Sequence, residues 1–76
     1  MTNTQLEYIE TIIDDSINIY EMNKKSYSLI EAIMNYYGLF VLDIRFKKST
    51  YPGNKCLRIE FIEKGIPEEE IIEIEY

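Results

Sequence analysis

The stretch Gly38-Leu39-Phe40-Val41-Leu42-Asp43-Ile44-Arg45-Phe46-Lys47 decides the fold. Before it, apolar residues recur every three or four positions. Within it the period falls to two: Leu42, Ile44 and Phe46 alternate with Asp43, Arg45 and Lys47, the pattern of a strand with one buried face. Beyond it, Tyr51-Pro52-Gly53-Asn54 is a turn signal, with proline presetting the first central angle and glycine free to take a positive one. Leu57, Ile59 and Phe61 then alternate with Arg58, Glu60 and Ile62, which completes a hairpin. A turn centred on Pro52-Gly53 sets Phe46 opposite Ile59 and Ile44 opposite Phe61. It also sets Arg45 opposite Glu60 and Lys47 opposite Arg58. Residues 63–70 contain Gly65 and Pro67 and read as a loop, and 71–76 as a third strand with Ile72, Ile74 and Tyr76 on one face. In a simple meander this strand lies beside the second, with Ile72 by Phe61 and Ile74 by Ile59.

Upstream of Gly38 the reading is helical. Leu6, Ile9, Ile13, Ile17 and Tyr20 hold one stripe over residues 4–22, and Thr4 with Glu7 has capping-box spacing. The pattern breaks at Asn23-Lys24-Lys25-Ser26. One continuous helix over 4–37 would run about 50 Å at 1.5 Å per residue, too long for so small a domain. A second helix is therefore expected over 27–37, with Tyr27, Ile30, Ile33 or Met34, and Tyr37 inward. Ser26 or Ser28 would cap it, and Gly38 would follow its end. The predicted fold class is α+β: two N-terminal helices, or one kinked helix, packed on a three-stranded antiparallel β-meander (ααβββ). It forms a single small domain over 1–76.

Composition narrows the chemistry. The chain has 76 residues, no histidine, no tryptophan and one cysteine, Cys56. Histidine-based catalysis, an internal disulfide and Cys/His zinc sites are excluded. Gly38, Gly53 and Gly65 are isolated, so no phosphate-cradling loop is present. Neither Asp14-Asp15 nor Glu68-Glu69-Glu70 has calcium-loop spacing. The expectation is a non-enzyme without cofactor or metal. No apolar run approaches the ~18 residues of a membrane span. The lone thiol fits a reducing cytoplasm, the host's if the chain is viral. Fourteen isoleucines and seven tyrosines beside one alanine and one valine imply an AT-rich genome, such as that of a low-GC bacterium or a mobile element living in one. A mass of 9.1 kDa implies roughly 4,900 Å² exposed when folded, hence a thin core.

Charge is arranged along the chain. Residues 1–38 carry net −4, residues 39–58 net +4, and residues 59–76 net −6. The leading candidate site is the acidic surface formed by Glu68, Glu69, Glu70, Glu73 and Glu75, with Glu7, Glu10 and Asp14 as a second group. Spaced carboxylates on a rigid scaffold can imitate DNA phosphates and occupy a basic cleft, driven by counterion release. The bland alternative is a solvated face that keeps the chain dispersed. The second candidate is the basic hairpin, Arg45, Lys47, Lys48, Tyr51, Lys55 and Arg58, which could enter a nucleic-acid groove. A net charge of −6 opposes that use, because nucleic-acid binders are usually basic as whole domains.

Tyr36, Tyr37, Phe40, Tyr51 and Tyr76 cannot all fit a thin core, and Ile62 and Ile71 fall on the sheet face away from the helices. Such residues suit a protein partner or a homodimer. The profile as a whole fits a stoichiometric inhibitor carried by a phage or other mobile element. An anti-CRISPR protein that blocks the basic cleft of a host nucleic-acid-binding defence complex is the specific expectation. A small regulatory or antitoxin-like binding module is the alternative.

Overall fold

A computed structural model describes residues 2–20 and 26–76, the side chains of 18–20 excepted. Two helices, α1 (Asn3–Tyr20) and α2 (Tyr27–Tyr36), precede three strands, β1 (Leu39–Lys48), β2 (Lys55–Glu63) and β3 (Ile66–Glu75). The strands form one antiparallel sheet in the order β1-β2-β3. The α+β class and the meander order are as expected from the sequence. The predicted break at Asn23-Lys24-Lys25 lies outside the described residues.

Helix α1 begins two residues earlier than the Thr4/Glu7 spacing suggests. Thr2 and Gln5 form the reciprocal cap instead: the Thr2 amide donates to Gln5 Oε1 at 2.9 Å, and the Gln5 amide donates to Thr2 Oγ1 at 3.2 Å. The same S/T-x-x-E/Q logic applies one register upstream, with glutamine as the acceptor. Ile9, Ile13 and Ile17 then fall on one buried stripe, with Leu6 packed at its end. Ser26 stands at the N-cap of α2, whose Ile30 and Met34 are buried. Tyr27 is exposed, whereas Ile33 and Tyr37 pack partly against the core. The helix ends in a turn in which the Gly38 amide donates to the Asn35 carbonyl at 3.0 Å. The Gly38 carbonyl in turn accepts from the Lys64 amide at 3.0 Å, tying the helix end to the β2–β3 turn.

The core is one cluster. Ile9, Ile13, Ile17, Ile30 and Met34 of the helices meet Leu39, Ile44, Leu57, Ile59, Phe61, Ile72 and Ile74 of the sheet. Helix α2 lies against β1, and α1 lies against α2 and β3.

Three details of the sheet correct the sequence reading. The first is register. Asn54 closes the Tyr51–Asn54 turn on the Tyr51 carbonyl at 3.2 Å, with Gly53 at φ +83° as a type II turn requires. Its own carbonyl accepts from the Ser49 amide at 3.2 Å, so Thr50 is left outside the ladder. Ile44 therefore faces Ile59, Phe46 faces Leu57 and Arg45 faces Arg58. Every expected partner is displaced by two residues. An even displacement leaves each side chain on its predicted face, which is why pattern alone could not detect it.

The second correction is a β-bulge between Val41 and Asp43. The extra residue, Leu42, is 47% exposed, while Leu39 is fully buried and Val41 packs on the core. The bulge resets the phase, so the inward residues of β1 are Leu39, Val41, Ile44 and Phe46 rather than Leu42, Ile44 and Phe46.

The third concerns 63–70, which is strand rather than loop beyond a tight turn at Lys64-Gly65, where Gly65 takes φ +81°. The ladder passes from Ile62↔Glu69 to Glu63↔Ile66, stepping over Pro67 and Glu68. A proline lacks the amide a ladder needs but is tolerated at such an irregularity on an edge strand. The third strand also shifts by two, with Ile74 beside Leu57 and Ile72 beside Ile59.

The bulge gives a sharp test. Ile44→Ala should lower unfolding free energy by about 2–4 kcal/mol through lost burial, whereas Leu42→Ala should change it by no more than about 0.5 kcal/mol. Urea titration followed by circular dichroism measures both. A large loss at Leu42 would place that side chain in the core and remove the bulge.

Candidate functional site

Strand order turns the charge pattern of the sequence into a pattern in space. Between them α1 and β3 carry nine carboxylates and no lysine or arginine, and they lie against each other on one side of the molecule. The most basic strand, β1, occupies the opposite edge of the sheet, with Arg45, Lys47 and Lys48 against a single acid, Asp43.

A shallow cleft of about 350 Å³ runs between α1 and β3. It is lined by Glu7, Glu10, Thr11 and Asp14 from the helix and by Glu73, Ile74 and Glu75 from the strand. The helical members stand at i, i+3, i+4 and i+7, one face of α1 adjoining the buried stripe. Two acidic groups some sixty residues apart in sequence thus share one cleft, and among the described residues no cation lines it. Thr11 turns its hydroxyl back to the Glu7 carbonyl at 2.9 Å. The sequence reading did not single out Thr11, although the helical period applied to polar positions would have found it. Asp15 does not line the cleft.

The glutamate run is divided differently from what a loop would give. Glu68 and Glu69 are exposed on the first half of β3, and Glu70 is half-buried opposite Phe61. None of the three lines the cleft; they extend the acidic field along the same strand. Among the described residues, no ion pair reaches Glu7, Glu10, Asp14, Glu68, Glu69 or Glu70. Glu73 approaches Lys47 Nζ at 3.5 Å and Arg58 Nε at 3.6 Å, and Glu75 accepts from the Ser49 hydroxyl at 2.7 Å. The carboxylates are also spread out: among the described residues no group of three or more Asp, Glu or Cys is placed to hold a metal ion.

Comparison of the chain with protein-family models, with curated proteins and with solved structures gave no match.

The basic hairpin is partly spent on its own chain. Arg45 Nε donates to Asp43 at 2.7 Å, and Arg58 is held by Glu60 as well as Glu73. Lys48 and Lys55 face each other across the hairpin beside Tyr51, which is exposed. Arg45 and Lys47 also line a groove of about 450 Å³ with Tyr27, Ile44 and Phe46 along the β1 edge. So the six predicted residues are close together, but three of them already bind carboxylates. Cys56 is buried on the central strand between Lys47 and Glu75.

The tyrosines divide as the thin core requires. Tyr36 and Tyr51 are exposed, while Tyr37 and Tyr76 pack partly on the core. Tyr8, Tyr36 and Tyr37 form an edge-to-face chain, with ring centroids 6.1 Å and 5.0 Å apart. Burial raises the phenol pKa of Tyr37, with Tyr8 adding to the effect, and burial beside Cys56 raises that of Tyr76. A phenol whose folded pKa lies above its unfolded value of about 10 stabilises the fold fully below that pH. This contribution is lost as pH climbs through the folded pKa. Stability should therefore fall above about pH 10, and less steeply in the Tyr76→Phe variant. Urea midpoints measured across alkaline pH check this; equal slopes would remove the burial effect.

Proposed function

We propose that the chain is a non-enzymatic, stoichiometric inhibitor that docks its acidic α1–β3 face into the basic nucleic-acid cleft of a host defence complex, as an anti-CRISPR protein does. The observation that carries this reading is the convergence of Glu7, Glu10 and Asp14 with Glu73 and Glu75 along one cleft that, among the described residues, no cation lines. A solubilising surface has no need to bring two distant acidic segments together. A scaffold that imitates a phosphate backbone does, because such a polyanion presents separated charges along a line rather than one chelating knot.

Several features support it. The acidic face lies on regular secondary structure backed by the core, so its charges are held at fixed separation. Arg45, Lys47 and Arg58 are paired within the chain, which limits their competition for the acidic face. An inhibitor of this kind works in the compartment of its target, so the reading carries a cytoplasmic location with it. It is compatible with the helices, none of which, among the described residues, is long and apolar enough to cross a membrane.

The test is competition. A purified DNA-binding effector complex of a CRISPR defence system is loaded with labelled target DNA, and the chain is added. DNA should be displaced at about one chain per complex, with affinity falling steeply as salt rises. The triple variant Glu7→Gln/Glu10→Gln/Asp14→Asn should compete at least about tenfold less well and show a flatter salt dependence. Glu31→Gln, on α2, should behave as wild type. A triple variant that competes equally at every salt concentration would overturn the role of the acidic face.

A further inference from the structure

Among the described residues neither helix packs on the sheet face turned away from the core, and that face has two unlike halves. One half is apolar. Phe40 and the bulged Leu42 on β1, Ile62 on β2 and Ile71 on β3 lie in this half, with the exposed Glu69 beside Ile62, and Phe40, Leu42 and Ile71 are each about half exposed. The other half is charged and ordered by strand. Asp43, Arg45 and Lys47 lie on β1, Arg58 and Glu60 on β2, and Glu73 and Glu75 on β3. All three cations of this half contact carboxylates of the same face.

We propose that this face binds a second copy of the chain, giving a two-fold symmetric dimer with the helices outermost, a four-layer α/β/β/α sandwich. The reasoning is geometric. A two-fold axis running parallel to the strands and along β2 lays β1 of one copy over β3 of the other. It brings Lys47 over the partner's Glu75 and Arg45 over the partner's Glu73. The apolar half stacks on itself, with Ile62 beside its own copy near the axis. Leu42 then lies near the partner's Ile71, while Phe40 lies over the partner's Glu69. Facing sheets cross at about −30°, so this match holds closest to the axis.

Charge selects this face over the others. Two chains of net −6 repel wherever their α1–β3 sides meet. The outer sheet face is where basic and acidic strands lie side by side, so that the two-fold turns the β1-to-β3 gradient into cross-copy attraction. Arg58 and Glu60 recur close to the axis and would meet their own copies, but each pair is neutralised within its chain. A small stable dimer needs on the order of 600 Å² from each copy. The dimer would leave Glu7, Glu10 and Asp14 on its outside and take Glu73 and Glu75 into the contact between copies.

Light scattering on a size-exclusion column tests this with the chain alone. The wild type should run at twice 9.1 kDa at micromolar concentration. Ile71→Lys should shift it to the monomer with an unchanged far-ultraviolet circular dichroism spectrum. Tyr36→Lys, which alters an exposed aromatic on α2, should leave the dimer intact. Ile62→Cys in a Cys56→Ser background should form a disulfide-linked dimer on mild oxidation. A wild type that stays monomeric up to hundreds of micromolar would overturn the proposal. So would a dimer indifferent to Ile71→Lys, or species that grow beyond two copies, which would indicate pairing between sheet edges. No defence complex enters the measurement, so its failure would leave the acidic-face reading standing, and the converse holds.

Discussion

Leu57, Ile59 and Phe61 project from one face of the central strand, and each is completely buried. The rest of the molecule is arranged around covering them. Among the described residues no second cluster shares the burden, because the surface that so short a chain can hide is only roughly 63% of the total. The edge strands add Ile44 on one side and Ile72 and Ile74 on the other. The helices close the layer with Ile9, Ile13, Ile17, Ile30 and Met34. Each helix buries one narrow stripe, and the sheet buries one face. Everything outside those two surfaces is free to carry charge or contact a partner.

That constraint explains why the charges are disposed as they are. A meander places sequential strands side by side, so its first and third strands are necessarily its edges. The first is basic and the third acidic. The helix that crosses back over the third strand is acidic as well. A linear charge sequence of −4, +4 and −6 becomes a molecule with an acidic side and a basic edge. The like-charge contacts that this register creates, such as Arg45 opposite Arg58, are offset locally by Asp43 and Glu60, each two residues along its own strand. Such pairs contribute little to stability at an exposed surface. Their consequence is to leave the outer face nearly balanced while the cleft beside α1 stays anionic.

Much of the fold was legible in the sequence. Periodicity located both helices and all three strands, because the change from 3.6 to 2 after Gly38 has one structural meaning. The turn at Tyr51–Asn54 was legible because proline and glycine restrict backbone angles locally. Three things were not. The two-residue register displacement leaves every residue on its predicted face, so the pattern carries no trace of it. The bulge at Leu42 was hidden because Leu39, Val41, Leu42, Ile44 and Phe46 fit two phases equally well until the ladder chooses one. The residues before Ile71 read as a loop because Gly65 and Pro67 are breakers in isolation, yet one serves a two-residue turn and the other sits where the ladder skips.

The candidate surface divides along the same line. Composition by itself determined which chemistries are absent, which segments are acidic and which are basic, since these are properties of residues counted in order. Only the tertiary structure brought Glu7, Glu10 and Asp14 beside Glu73 and Glu75 and moved the glutamate run away from that cleft. Only it turned Leu42 out of the core. The reason is that proximity between distant segments is set by long-range packing and by strand register. Both depend on how the whole core closes, and no local stretch of sequence encodes them.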